Sequence, residues 1–412
     1  MQDKIIFFLV YLLKYNFIFK FKLKYLQKIA LCSSDNEDEI KLKKLKKLLK
    51  ASKRSKFYSD LYKSRNFDIN AIKSLEDIKL IPSINKEMII GKEHSLLVMP
   101  KWLMFQGSTS GSSGASLNVF YDYLSVIREN AYVWNYRMQK GLNIKDPSVV
   151  VRGNLNKKKL FKFDTFTNTL YISSYNLNKN NIKEIFNRIS RLKPKALIGY
   201  PSSLSILSKL LDENNYKLCI PLAFTSSESI YSFQKTLIRE SFGCKLYDWY
   251  GNAERSIALQ EEFNEYKEPK LYSINEYHEN HIITTSLINN SFPLIRYKVD
   301  DRLDIKNEKI TAIVGRVDDV VILKDNTAIG RLDHLFKGVS GIRYAQIIQE
   351  QINKIDINIV LNINHKFDSE LLEKQIEHWL GIDIVYQINF INENQLVFMP
   401  SGKFKMVVSS VK

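Results

Sequence analysis

Short apolar runs alternate with amphipathic segments through the middle of the chain. Four runs rich in β-branched and aromatic residues are predicted to be buried strands: 148–153, 195–200, 219–226 and 244–250. Four segments with apolar residues at helical spacing lie among them: 121–139, 180–192, 202–214 and 229–242. This alternation predicts an α/β fold whose mostly parallel sheet is flanked by helices. Ligands of such sheets bind beyond the carboxyl ends of the strands.

The two ends of the chain have different patterns. From about residue 280, closely spaced strands follow one another without long helices, and the residues after 315 have strand and helix signals of their own. Near the N-terminus, apolar residues at helical spacing predict one amphipathic helix over 40–62, after an exposed loop at 33–39. We therefore expect three parts. These are a basic arm over 1–39, a large core domain with mixed sheets over 40–314, and a small α+β C-terminal domain over 315–412.

The first 65 residues carry most of the net charge. Residues 1–65 have 17 Lys and Arg against 6 Asp and Glu, within a chain of net charge +17. The arm opens with nine apolar residues at 5–13, too few for a spanning helix of about 20 residues. Two interpretations stay open: a first helix docked on the body, or peripheral contact with an anionic membrane. In the second, four aromatic side chains would insert: Phe7, Phe8, Phe17 and Phe19.

Composition excludes several classes of protein. Hydrophobic residues make up 45% and charged residues 25%, which is typical of a globular protein. The three cysteines, Cys32, Cys219 and Cys244, lie far apart without a CxxC pair, which argues against a zinc ribbon, an iron–sulfur site and a disulfide scaffold. A reducing cytoplasm is the expected compartment, with peripheral contact at the inner face of the membrane if the arm binds lipid. Because no nucleic-acid-binding pattern accompanies the charge, no specific nucleic acid is expected.

Two loops carry residues suited to phosphate and metal chemistry. Residues 107–114 are all Gly, Ser or Thr and precede a predicted strand, so their backbone N–H groups and hydroxyls suit phosphate oxygens. No Gly-Lys-Ser/Thr follows, so this is not a Walker loop, and a flexible linker is the alternative. Glu254 follows Gly251 by three residues, just past a predicted strand, where a carboxylate can hold Mg²⁺ beside a triphosphate. Its alternative role is to balance a helix dipole.

Further segments complete a resemblance to a known family. FPLIRYKVDDRLDI (292–305), VGRVDDVVIL (314–323) and PSGKFKMV (400–407) follow the two loops in order. Together they resemble the adenylate-forming superfamily of acyl-CoA synthetases, luciferases and peptide-synthetase adenylation domains. LKASKRSKFYSDLY (49–62) and LIGYPSSL (197–204) are similar to the phenylacetate–CoA ligase group, in particular its capsular-polysaccharide-biosynthesis relatives. The resemblance covers roughly residues 45–407 and implies a large N-terminal domain with a mobile C-terminal lid.

The resemblance assigns a role to each matching residue. The residues of the loop that holds the β- and γ-phosphates of ATP are Thr109, Ser110, Gly111, Ser112, Ser113 and Gly114. Those at the adenine and ribose are Ser226, Ser227, Glu228, Tyr250, Gly251 and Asp301, with Tyr250 stacked on the adenine and Asp301 on both ribose hydroxyls. Glu254 is the Mg²⁺ carboxylate, Arg316 contacts the nucleotide and Asp318 is the hinge. Lys403 bridges the carboxylate substrate and the α-phosphate, with Lys405 as the competing candidate.

The sequence also departs from the family pattern. The lysine and proline after the phosphate loop are Ala115 and Ser116 here, and the threonine of Tyr-Gly-x-Thr-Glu is Ala253. The glycine before the ribose carboxylate is Asp300, which makes Asp300 an alternative ribose ligand, and Ser-Gly-Glu is Ser-Ser-Glu. The carboxylate, ribose and lysine positions are retained.

The resemblance implies a reaction with ATP and Mg²⁺ in two steps. A carboxylic acid attacks the α-phosphate of ATP to give acyl-adenylate and pyrophosphate, and the acyl group then passes to an acceptor. The acceptor is either coenzyme A or an amino or hydroxyl group on a sugar. The alternative from another class is a catalytically inactive nucleotide-fold protein that acts as a basic membrane- or nucleic-acid-associated binding protein.

Overall fold

A computed structural model describes most of the chain, in two compact units. The described residues are 17–31, 36–109, 117–152, 159–228, 230, 232–278, 281–299, 301–306, 309–314, 321–325, 327–329, 332–336, 339–361, 367–397 and 406–411. The first unit comprises residues 1–107 and 118–314, and the second comprises 108–117 and 315–412. Within the described ranges, no helix combines the length and apolar character needed to cross a bilayer.

The first unit contains eight described α-helices and most of the strands. The helices are α1 Phe17–Leu31, α2 Glu37–Ser52, α3 Lys56–Ser64, α4 Lys86–Ile89, α5 Tyr123–Gln139, α6 Ile182–Leu192, α7 Pro201–Glu213 and α8 Ser232–Phe242. The strands of its two smaller sheets are β1 Phe105–Ser108 with β2 Asn118–Tyr121, and β11 Ser273–His278 with β12 His281–Ser286 and β13 Tyr297–Val299. Those of its large sheet are β3 Ser148–Arg152, β4 Phe161–Asp164, β5 Thr169–Ser173, β6 Ala196–Gly199, β7 Leu222–Ser226, β8 Lys245–Gly251, β9 Ala258–Glu262, β10 Glu265–Lys267, β14 Arg302–Lys306 and β15 Lys309–Val314.

The large sheet has ten strands in the order β14-β15-β10-β9-β8-β7-β6-β3-β5-β4. Its central strands β5, β3, β6, β7 and β8 run parallel, and antiparallel strands extend it on both sides. Successive residues of a strand enter opposite cores, since Val150 packs with α1 and α5 while Val149 and Val151 pack with α6, α7 and α8. Burial on both faces explains the continuous apolar runs, and the predicted α/β fold is confirmed.

The turn from β6 into α7 shows how tightly the carboxyl edge of the sheet is built. A Cβ on Gly199 would lie 2.7 Å from Leu204 Cδ2 and 3.1 Å from the Val151 carbonyl oxygen. Only glycine therefore fits at the end of this strand without displacing backbone. Pro201 then occupies the first turn of α7, where its missing N–H removes no hydrogen bond.

The N-terminal helices differ from the sequence prediction. Two helices, α2 and α3, replace the single helix predicted over 40–62. The Ser55 hydroxyl accepts the Tyr58 N–H at 3.3 Å and so starts α3. The prediction of a loop over 33–39 was also partly wrong, because three acidic residues from Glu37 onward form the first turn of α2. Their negative charges stabilise the helix by interacting with the positive end of its dipole.

The arm's described helix α1 packs on the body. Phe19, Leu23 and Leu26 join the core formed with α5, and Phe19 is only 1% exposed. Insertion of Phe19 into a membrane, as one interpretation of the arm required, is therefore wrong. Phe7 and Phe8 lie outside the described residues.

The second unit contains a small mixed sheet covered by a helix. Its strands are β18 Ile342–Gln351, β19 Lys354–Leu361, β20 Val385–Phe390 and β21 Val407–Ser409, and the helix is α9 Ser369–Leu380. Two short strands, β16 Val321–Ile322 and β17 Ala328–Ile329, form a separate antiparallel pair. The sheet order is β20-β19-β18-β21, with β18 and β19 antiparallel and both outer strands parallel to their neighbours. Leu372 and Ile376 of α9 pack against Ile347 and Ile357 of the sheet. This is an α+β arrangement with its own core.

Candidate active site

Two predicted nucleotide ligands, far apart in sequence, meet at the end of β8. The Tyr250 hydroxyl donates a hydrogen bond of 2.6 Å to Oδ2 of Asp301. The Tyr250 ring also packs beside Leu259, Tyr266 and Ile310, which fixes its position. Both Tyr250 and Asp301 remain partly exposed. An ionised carboxylate accepts about four hydrogen bonds, so Asp301 has the capacity to bind two ribose hydroxyls as well as Tyr250.

The predicted metal carboxylate lies in a rigid turn after β8. Asn252 closes the turn, since its Oδ1 accepts the Ser256 N–H at 2.9 Å and its Nδ2 donates to the Ser256 hydroxyl at 2.7 Å. Glu254, inside this turn, accepts a hydrogen bond of 3.1 Å from the Tyr297 hydroxyl on β13. Thr284 of β12 holds the far side by donating to the Ser256 carbonyl at 2.7 Å.

Tyr297 is a site residue that the sequence reasoning missed. Its ring is buried, and its hydroxyl orients the Glu254 carboxylate. The signal was available, because Tyr297 stands in the segment FPLIRYKVDD, four residues before Asp301. One stretch of chain thus contains Asp301, the predicted ribose carboxylate, and the tyrosine that contacts Glu254, the predicted metal carboxylate.

A single carboxylate is a suitable protein contribution to a magnesium site beside a nucleotide. Among the residues that the structure describes, no group of three His, Cys, Asp or Glu side chains could form a complete metal cage. Mg²⁺ commonly uses one or two carboxylates together with substrate phosphates and water. Glu254, held by one tyrosine hydroxyl and partly exposed, fits that role.

The loop after β7 is fastened to the start of α7. Glu228 accepts the Ser202 N–H and the Ser202 hydroxyl, each at 3.0 Å. The carboxylate is thereby placed at the positive end of the helix dipole. Ser227 precedes it in a left-handed conformation with φ of +70°, and the Ser227 hydroxyl lies 3.4 Å from that of Ser226. The residues predicted to line the adenine therefore form an ordered corner at the same sheet edge as Tyr250.

Thr109, the first residue of the predicted phosphate loop, is hydrogen-bonded to Leu117. The Thr109 N–H donates to the Leu117 carbonyl at 2.9 Å, and the Leu117 N–H donates to the Thr109 hydroxyl at 3.0 Å. Thr109 is thus used to close the loop. The five other predicted loop residues lie outside the described residues: Ser110, Gly111, Ser112, Ser113 and Gly114. The same holds for Asp300, Arg316, Asp318, Lys403 and Lys405.

A buried polar network supports the strand that carries Tyr250. Asp248, two residues earlier, accepts hydrogen bonds from Thr225 at 2.6 Å and from Tyr266 at 2.8 Å. Burial raises the pKa of Asp248 to about 6, although both hydrogen bonds favour its ionised form. Its N–H donates to Glu261 at 3.0 Å, and Glu261 also pairs with Lys235 at 3.0 Å. These contacts lock β7, β8 and β9 together beneath the site.

Comparisons with known proteins agree with the fold. A family model described as the CapK C-terminal domain matches residues 321–410. The chain is 24% identical over 395 residues to Protein CapK of Staphylococcus aureus, covering 87% of this chain and 86% of that protein. It is 22% identical over 310 residues to indoleacetate–lysine synthetase of Pseudomonas savastanoi, covering 69% of this chain and 73% of that protein.

Solved structures give the same result. The chain is similar to 2-hydroxyisobutyryl-CoA ligase in complex with 2-HIB-AMP and CoA, with a TM-score of 0.61 and 16% identity. The match covers 92% of this chain and 91% of that one. An open conformation of the same ligase gives a TM-score of 0.54 with 17% identity, covering 90% and 91% of the two chains. The two proteins share a fold.

Proposed function

Because the chain belongs to the adenylate-forming superfamily, in its capsular-polysaccharide-biosynthesis type, we propose that it activates a carboxylic acid with ATP and transfers the acyl group to an acceptor. The observation that carries the proposal is the contact between Tyr250 and Asp301 beside the turn of Glu254. An aromatic ring for the adenine, a carboxylate for the ribose and a carboxylate for the metal are three of the groups that a protein needs to bind ATP for adenylation of an acid.

The first step joins two anions, so charge compensation dominates its chemistry. An oxygen of the acid attacks the α-phosphorus of ATP, the bond from that phosphorus to the bridging oxygen breaks, and pyrophosphate leaves. Tyr250 stacks on the adenine and Asp301 accepts the ribose hydroxyls, which holds the α-phosphate in place. Glu254 would hold Mg²⁺, and the ion would supply positive charge beside the phosphates when bound.

The remaining assignments come from the sequence. The phosphate loop from Thr109 to Gly114 binds the β- and γ-phosphates, and Arg316 contacts the nucleotide. Lys403 places a positive charge between the acid and the α-phosphate, where negative charge develops. Asp318 is the hinge about which the C-terminal unit turns between adenylation and acyl transfer.

The acceptor is proposed to be an amino or hydroxyl group on a sugar. Membership of the capsular-polysaccharide type supports this choice over coenzyme A. The named relatives differ in the acceptor that their names give, since one is a CoA ligase and another is indoleacetate–lysine synthetase. Both acceptor classes therefore belong in the test.

The test measures pyrophosphate released from ATP and Mg²⁺ with a panel of carboxylic acids. Acid-dependent release is expected from the wild-type chain. Each active acid is then incubated with coenzyme A or with amino sugars, and AMP release with acyl product identifies the acceptor. Binding of ATP without pyrophosphate release from any acid would favour the inactive nucleotide-fold protein.

We also propose that the N-terminal region makes peripheral contact with anionic membranes. Helix α1 buries one face, while Ile18, Phe21 and Tyr25 are exposed on the other, with Phe21 60% exposed. The exposed lysines of the same helix surround these side chains: Lys20, Lys24 and Lys28. Apolar side chains among lysines suit the interface of an anionic bilayer.

Vesicle co-sedimentation tests this contact with point variants. Deleting α1 would uncover the core at Phe19, so the full chain with Phe21→Ser and Lys24→Glu is the better comparison. The double variant is expected to lose binding to phosphatidylserine vesicles at low salt. The control is Lys183→Glu, which changes an exposed lysine on α6 and should leave vesicle binding unchanged. Equal binding by all three chains would exclude the contact.

A further inference from the structure

Arg255 directly follows the metal-site carboxylate and has an unusual backbone conformation. Its φ is +53°, in the left-handed region that arginine seldom occupies. The turn imposes this conformation, because the Arg255 N–H donates to the Asn252 carbonyl at 3.1 Å and its own carbonyl accepts from the Ser286 hydroxyl at 2.9 Å. Residues held in such conformations cluster at functional sites.

The side chain of Arg255 is anchored on an aromatic ring. Its guanidinium carbon lies 4.1 Å from the centroid of the Tyr121 ring, a cation–π contact. Tyr121 is fixed in turn, since its hydroxyl donates to the Ala253 carbonyl and its ring closes against Gly107. A Cβ on Gly107 would lie 2.9 Å from the Tyr121 ring, so the ring packs closely against the backbone of Gly107.

One nitrogen of this guanidinium has an unused hydrogen-bonding capacity. Nη1 of Arg255 is buried and has no hydrogen-bond acceptor in the described part of the chain. A buried donor without an acceptor is costly, and in a native protein it calls for a functional explanation. The residue as a whole remains partly exposed.

A buried carboxylate that interacts with the charge of Arg255 does not form a hydrogen bond with Nη1. Glu129 on α5 accepts a hydrogen bond from the Tyr272 hydroxyl. Burial raises the pKa of Glu129, and the positive charge of Arg255 and the Tyr272 hydrogen bond oppose the rise. Arg255 thus lies against the Tyr121 ring with the Glu129 charge nearby, and neither supplies Nη1 with a hydrogen bond.

We propose that Arg255 binds the acid substrate, by donating a hydrogen bond to an oxygen on the acyl part beyond the carboxyl group that is adenylated. The proposal rests on the proposed function, which puts the reacting carboxyl and the α-phosphate beside Glu254, one residue away. The acid is therefore a hydroxy, oxo or dicarboxylic acid. A plain hydrocarbon acid would enclose the guanidinium without supplying an acceptor.

Matched acids and variants of one residue test the proposal. The pairs are 3-hydroxybutyrate with butyrate, succinate with butyrate, and 4-hydroxyphenylacetate with phenylacetate. Two readouts are taken, which are kcat/KM for pyrophosphate release and the shift in melting temperature when each acid is added without nucleotide. The variants are Arg255→Met, which removes the donors at similar length, and Arg255→Lys, which keeps the charge. Arg188→Met, an exposed arginine on α6, is the control.

The wild-type chain is expected to prefer the oxygen-bearing member of at least one pair by about tenfold or more, the value of one hydrogen bond to a charged donor. Arg255→Met should bring that ratio close to one without changing the KM for ATP, and Arg188→Met should keep it. If Arg255→Met does not fold, Arg255→Lys should still show a reduced ratio. A ratio unchanged in the folded variants, or no preference in any wild-type pair, overturns the proposal. Discrimination in melting shifts that depends on Arg255, without pyrophosphate release, upholds it and contradicts the proposed function.

Discussion

The hydrogen bond between Tyr250 and Asp301 gives the proposed nucleotide site a quantitative test. Tyr250→Phe removes the hydroxyl and keeps the ring that stacks on the adenine. The bond is 2.6 Å long and its acceptor is charged, so its full value is about 1.5–3 kcal/mol. Both side chains are partly exposed, and screening by solvent reduces this to about 1–2 kcal/mol. Because the bond lies within the protein, its loss weakens ATP binding only as far as Asp301 is no longer held in position for the ribose. The dissociation constant for ATP should therefore rise by up to about 5- to 30-fold.

A double-mutant cycle separates this bond from other effects of the substitutions. Titration calorimetry with ATP and Mg²⁺ is performed on the wild-type chain, Tyr250→Phe, Asp301→Asn and the double variant. Tyr250→Phe removes the donor, and Asp301→Asn replaces the charged acceptor with a weaker, neutral one. The cost of the double variant should therefore fall short of the sum by up to about 1–2 kcal/mol. Asp300→Asn, at the neighbouring position, is the matched control and should bind ATP normally.

Two results would refute this reasoning. If the losses of ATP-binding free energy in the two single variants add up to that of the double variant within about 0.5 kcal/mol, the bond makes no contribution to nucleotide binding. A loss of affinity in Asp300→Asn as large as that in Asp301→Asn would assign the ribose to Asp300 instead.

Three further predictions concern the metal, the hinge and the buried network. Glu254→Gln should raise the Mg²⁺ concentration needed for half-maximal pyrophosphate release by about tenfold or more, and an unchanged requirement would exclude it as the metal ligand. Asp318→Pro fixes the backbone dihedral at the hinge and should impair one half-reaction in single-turnover assays, whereas equal loss of both would contradict domain rotation. Asp248, with its pKa raised from 3.8 to about 6, favours folding while protonated, so the free energy of unfolding should fall as the pH rises from about 4 through 6. Urea denaturation of Asp248→Asn should show a flatter pH dependence, and an identical one would exclude this carboxyl as the cause.

The sheet was predictable from sequence because its strands are buried on both faces. The runs at 148–153 and 195–200 match β3 and β6 within one or two residues, since nothing but apolar residues fits between two layers of helices. The break between α2 and α3 was not predictable from hydrophobic spacing. It depends on one cap by Ser55, and the apolar spacing on either side continues through it.

The residues of the candidate site could be named from the sequence, but their contacts could not be predicted. The resemblance named Tyr250 and Asp301, but a hydrogen bond between residues 51 positions apart arises only when the sheet is formed. Tyr297 looked like an apolar residue of a strand, and its role depends on a hydroxyl that reaches Glu254 from a different sheet. Arg255 gave no signal in sequence, because an unpaired donor is a property of its surroundings.

The central claim, adenylation of an acid by ATP, is tested most directly by acid-dependent exchange of labelled pyrophosphate into ATP. This exchange requires the adenylation step to run in both directions and needs no knowledge of the acceptor. The wild-type chain should catalyse exchange only when its acid is present. Lys403→Ala should lose about 100-fold or more of the rate while still binding ATP, because the charge on the α-phosphate is no longer offset. Lys405→Ala should keep the rate. Absence of exchange with every acid of the panel, from a folded chain that binds ATP, would contradict the account.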